Sequence, residues 1–145
     1  MTNGSLQMDF GGSYKVDVDF VVFNKIITDR GSVYAVSLGR VKGRDDLKKF
    51  LNKVRNYNKK FRVATHHSYA ARISRDGAVY ETKGDDGETG AGMVILRIMQ
   101  KQNFVNTAVC VTRWFGGVKL QGDRFKHLQN ATLYGLNKLK KENIT

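Results

Sequence analysis

THHSYAARISRDGAVYETKGDDGETGAGMVILRIMQKQNFVNTAVCVT, residues 65–112, settles the fold class. Two strand-like runs, 65–73 and 78–82, flank Arg75-Asp76-Gly77. An Asp-Gly between such runs is a strong hairpin signal, because the tight turn that matches strand twist needs positive φ at its centre. After the loop Gly84-Asp85-Asp86-Gly87, the spacing predicts a helix from about residue 88 to 102, with Ala91, Val94, Ile95, Ile98 and Met99 facing inward. Residues 107–112, all apolar apart from the two threonines, read as a buried strand. A hairpin followed by a strand–helix–strand crossover is the core of an α+β domain.

The flanks extend this plan. In the run 14–27, Val16, Val18 and Phe20 alternate with Lys15, Asp17 and Asp19, as in a half-buried strand. Asp29-Arg30-Gly31 is a turn signal, and 33–38 is a second strand rich in β-branched and aromatic residues. Leu47, Phe50, Leu51, Val54, Tyr57 and Phe61 then form one helical stripe, with Asp45 and Asp46 in the first turn, where the helix dipole favours acids. A last helix starts near Asp123, a suitable N-cap, and buries Phe125, Leu128, Thr132, Leu136 and Leu139. The expected architecture is a two-layer α+β sandwich, a mixed sheet of about five strands with three helices. Residues 1–13 read as a flexible tail and 14–145 as a single domain, without repeats or low-complexity tracts.

Composition bounds the function. The 145 residues suffice for one domain, with 41% hydrophobic residues to fill one core. No run approaches the roughly 20 apolar residues of a membrane span, and the start carries no secretory pattern. The expectation is a cytoplasmic protein. The single Cys110 sits in an apolar run and reads as a small buried hydrophobe, not a nucleophile. Lys and Arg number 25 against 13 acids, a net charge of +12. Such a chain attracts phosphate backbones, or is merely kept soluble by its charge. Much of the excess lies outside the apolar stripe, on Lys48, Lys49, Lys53, Arg55, Lys59 and Lys60, which are the candidate nucleic-acid contacts.

The motifs of catalysis are missing. His66 and His67 are adjacent on a predicted strand, so they point to opposite faces; His127 stands apart, and no pair has zinc-ligand spacing. Gly116-Gly117-Val118-Lys119 lacks the phosphate-loop spacing. Asp85, Asp86 and Glu88 fit either a divalent cation site or a simpler role, satisfying helix N-terminal amides and pairing with an Arg. Arg113-Trp114-Phe115-Gly116-Gly117 places an Arg and two aromatics at a strand end, as an interface anchor or as a cap on the core.

Taken together, Asp85-Asp86-Gly87-Glu88-Thr89, Arg113-Trp114-Phe115-Gly116-Gly117 and Asp123-Arg124-Phe125-Lys126-His127-Leu128 closely resemble the signature blocks of the IMPACT family of translation regulators. Ala64-Thr65-His66 and Ala71-Arg72-Ile73 are similar to its upstream strand. The likeness is strong from about residue 63 to 128 and weaker from 26 onward. It implies a fold like the second domain of a small-subunit ribosomal protein and domain four of elongation factor G. It implies a non-catalytic role. Eukaryotic members engage a ribosome-associated activator and thereby restrain a starvation-responsive kinase of an initiation factor. Trp114 and the 123–128 block resemble the eukaryotic branch. Two departures stand out: the chain has no room for the N-terminal domain of eukaryotic members, and Gln121-Gly122 replaces a usual Gly-Pro.

The reading that results is a monomeric, cofactor-free binding protein whose partner is a protein of the translation-control pathway. Its candidate contacts are Asp85, Asp86, Glu88, Arg113, Trp114, Arg124 and Lys126. The alternative is an RNA- or ribosome-binding module using the basic helix and the Arg-Trp-Phe loop. The crossover also predicts a juxtaposition. If its strands are parallel, loops 84–88 and 113–117 leave the same edge of the sheet, where Arg113 can meet Asp86 or Glu88 and Trp114 can stand beside them.

Overall fold

The computed structural model describes residues 12–142. The tail expected over 1–13 therefore lies, up to residue 11, outside the described residues. The elements run β1 (Tyr14–Val16), β2 (Val21–Asp29), β3 (Ser32–Arg40), α1 (Arg44–Arg55), α2 (Lys59–Arg62), β4 (His66–Arg75), β5 (Ala78–Gly84), α3 (Ala91–Lys101), β6 (Thr107–Trp114), α4 (Asp123–Leu139) and β7 (Lys140–Glu142).

Five strands form one sheet in the order β2-β3-β6-β4-β5, and β1 and β7 form a separate two-stranded ribbon. The hairpin at Asp76-Gly77 is present, both residues with positive φ, joining Arg75 to its partner Ala78. The α+β class stands, but the sheet is antiparallel throughout instead of mixed. β5 and β6 do run in the same direction, as the crossover requires. They are not neighbours, because β4 lies between them and is antiparallel to both.

The layering also differs from a two-layer sandwich, since helices cover both faces. On one face α3 and α4 bury Ile95, Met99, Leu128 and Leu136 against Tyr34, Val36, Leu38, Val109 and Val111. On the other, α1 and α2 bury Phe50, Val54 and Phe61 against Ala35, Ala71, Ala108 and Cys110. Strands β3 and β6 are buried on both sides, so they show no polar–apolar alternation from which a second covered face can be read. The stripe expected as one helix is two. Asn56 ends α1, and the Asn58 side chain caps α2 by accepting the Phe61 N–H at 3.0 Å; a short amide side chain competes with helix continuation in this way. Among the described residues there are thus four helices, and Lys59 and Lys60 belong to α2, not to α1. Asp123 is the first residue of α4 and makes no cap bond; its carboxylate instead receives Arg30.

Candidate partner-binding site

Strand pairing builds the site. Because β5 and β6 share a direction, the loops leaving their C-terminal ends emerge at one edge of the sheet. The first loop is fixed by Asp85, whose carboxylate accepts the Gly90 N–H at 3.0 Å and the Gly92 N–H at 2.8 Å. Those two amides hold its pKa below the usual carboxylate range. Ser68 Oγ donates to its carbonyl at 2.8 Å. Asp86, at φ 50°, accepts the His67 N–H at 2.7 Å and lies with its carbonyl 2.8 Å from His66 Nδ1. Both acids therefore serve the loop. Among the described residues no group of three or more His, Cys, Asp or Glu side chains is placed to hold a metal ion.

Glu88 reaches across to the second loop. Arg113 Nη1 donates to Glu88 Oε2 at 2.6 Å, with side-chain exposures of only 6% and 1%. The guanidinium sits 5.6 Å from the Tyr34 ring and 5.7 Å from the Phe115 ring. Arg124, at the start of α4, donates to the Thr89 carbonyl and comes within 3.7 Å of Glu88. The buried pair leaves Glu88 Oε1 and Arg113 Nε without a protein partner. A cleft of about 260 Å³ opens over it, walled by His66, Phe115, Lys119 and Arg124. Phe115 is half exposed at its rim.

The remaining expected contacts divide. Successive residues of a strand face opposite ways, so Trp114 leaves Arg113 and turns to the α1/α2 face. There it packs edge-on against Phe61, centroids 4.9 Å apart, and its Nε1–H donates to the Lys60 carbonyl at 2.8 Å. It is half-buried, and it is not beside the acidic loop as expected. Lys126 is exposed and does not line the cleft. Lys48, Lys49, Lys53 and Arg55 on α1, with Lys59 and Lys60 on α2, are all exposed.

Residues that the sequence presented only as a turn and a stray histidine also join the site. His127 Nε2 lies 2.7 Å from Asp29 Oδ2, and its ring is 5.3 Å from Tyr34. Arg30 bonds both Asp29 and Asp123. Polar groups thus continue from Glu88 through Arg113 and Tyr34 to the β2–β3 turn. The arrangement positions charges and rings firmly. Glu88 is occupied by Arg113, and Cys110 is buried at 0% exposure.

The model of the Impact N-terminal domain matches residues 30–136. The chain belongs to the IMPACT family. Protein IMPACT of Rattus norvegicus is 44% identical over 107 residues, which is 72% of this chain and 33% of the rat protein. The IMPACT-family chain described here thus spans about a third of that relative. Among solved structures, a hypothetical protein superposes with a TM-score of 0.75 over 92% of this chain and 65% of its own, at 22% identity, a likeness of fold. The two-domain translational regulator Yih1 superposes with a TM-score of 0.52 at 28% identity, over 92% of this IMPACT-family chain and 49% of Yih1. No helix among the described residues is long and apolar enough to cross a membrane.

Proposed function

We propose that this chain is a non-catalytic, translation-regulatory binding protein that engages a protein partner of the translation-control pathway through the rim formed by loops 85–90 and 113–117. The observation that carries the reading is the buried Arg113–Glu88 pair. A buried pair of this kind adds little net stability, but it locks two distant loops in one arrangement. Phe115 and Arg124 are thereby presented as preorganised anchors, with the exposed Lys126 two residues further along α4. Yih1 is a translational regulator by its own description, and the family match supports extending that role here. The finer reading is that the partner is the ribosome-associated activator of the starvation-responsive kinase, met in the cytoplasm by a monomer.

The test is capture of partners from cytosol on immobilised protein, with and without RNase. Capture that survives RNase and is lost in Phe115→Ala and Lys126→Glu supports the reading. Capture indifferent to both substitutions ends it. A second reading, RNA or ribosome binding, is favoured by the exposed cations of α1 and α2. Replacing Lys48, Arg55 and Lys59 by Glu would then lower the salt slope of RNA affinity by roughly one per lost phosphate contact.

A further inference from the structure

On the face of β6 opposite the Arg113 cleft, Trp114 forms one wall of an apolar groove of about 320 Å³. Val33, paired with Trp114 across the β3–β6 ladder, lies at its floor, beside Phe61. The other wall is Val63, which is 77% exposed directly after α2. The Trp114 ring is held in place by the Lys60 carbonyl and the edge of Phe61, so the groove is formed before anything enters it. Its rim is basic. The bulge between Phe23 and Ile27 lifts Lys25, at φ 52°, to one side, and Lys60 stands on the other. Lys59 and Arg62 lie next along α2, and among the described residues no carboxylate lines the groove.

We infer that this groove seats an acidic segment of a partner protein carrying one large apolar side chain. The apolar group enters between Trp114 and Val63, and its flanking carboxylates meet Lys25 and Lys60. Shape and charge both select this occupant. Nucleic acid would want open aromatic faces at successive base positions, whereas here the Trp114 ring forms one wall of the groove and is packed edge-to-face with Phe61. A rigid Trp bordering a desolvated pocket is instead the usual anchor for an inserted apolar side chain, and the cations supply steering and register. The inference rests on the partner-binding reading only for the partner being a protein; it adds a second contact, on the opposite face of the sheet.

The probe is a display library of random short peptides, selected on the purified chain. Selected peptides are then synthesised and titrated against Trp114 emission, the chain having a single Trp. Enrichment of Asp and Glu around one large apolar residue is expected, together with a shift of Trp114 emission. Affinity should fall on the order of tenfold in the Lys25→Glu/Lys60→Glu double variant and similarly in Val63→Asp. All three positions are exposed, so circular dichroism should report an intact fold. Phe115→Ala, which alters the other face, should leave peptide affinity unchanged; the two readings therefore fail separately. Selection of no binder, of binders without acidic bias, or of binders that ignore Lys25, Lys60 and Val63 would overturn the inference. So would an oligouridylate that quenches Trp114 and displaces the peptides, which would make the groove a nucleic-acid contact.

Discussion

Arg113 and Glu88, 25 residues apart in sequence, meet at 2.6 Å with both side chains almost wholly withdrawn from water. Removing one member strands the other as an unpaired buried charge. Glu88→Leu should therefore cost about 3–5 kcal/mol in urea unfolding, whereas the double variant Arg113→Met/Glu88→Leu should recover most of that loss. A double variant as unstable as the single one would show that the pair's worth lies in its other contacts, with Ser32 and the Tyr34 ring.

Acid should loosen the β2–β3 turn. Hydrogen bonds from Arg30, and then from His127, lower the Asp29 pKa from 3.8 to about 2. A carboxyl that is more acidic when folded binds its proton more tightly when unfolded. Its stabilising contribution is therefore complete above about pH 4 and disappears as the pH falls toward 2. Asp29→Asn should flatten the stability profile across that window. An unaltered acid limb in the variant would assign the effect to other carboxylates, Asp85 foremost, whose pKa is also lowered.

Cys110 should behave as a buried hydrophobe. Burial pushes its thiol up to about 12, so almost no thiolate exists near neutral pH and no solvent path reaches it. Titration with a disulfide reagent at about pH 8 should find no reactive thiol in the native protein and one equivalent after denaturation. Rapid reaction of the folded chain would contradict the packing of β6 against α1.

Trp114 should matter to stability as well as to binding. With its ring against Phe61 and its N–H bonded to the Lys60 carbonyl, Trp114→Ala should cost about 2–3 kcal/mol, below the range for a fully buried aromatic. Trp114→Phe keeps the ring contact and loses the hydrogen bond, at about 1 kcal/mol. Chemical denaturation of both variants separates the two contributions. Equal losses would mean that the hydrogen bond, not the ring, holds this position.

The hairpin at Asp76-Gly77 and the meeting of Arg113 with the acidic loop were legible in the residues, because both follow from local rules of turn chemistry and strand direction. The insertion of β4 between β5 and β6 was not. A crossover specifies the direction of two strands, and says nothing of what pairs between them. The second helical cover stayed hidden because Tyr34 through Leu38 are buried without alternation. The side chosen by Trp114 was available from alternation alone, since its neighbour Arg113 had already been assigned to the acidic loop. The Asp29–His127 contact, 98 residues apart, had no local signal at all.

The ribbon of β1 and β7 has a consequence for anything joined to this domain. Tyr14 pairs with Glu142, and Val105 N–H donates to the Tyr14 carbonyl, so the backbone enters and leaves beside the start of β6. The Arg113 rim and the Trp114 groove lie at the other end of that strand, roughly 25 Å away at about 3.3 Å per residue. The described backbone therefore begins and ends at a single pole. A fusion partner or tether joined directly at Gly12 or Glu142 would stand away from both recognition faces, and a short peptide bridge between those two residues would yield a circular permutant with the same sheet.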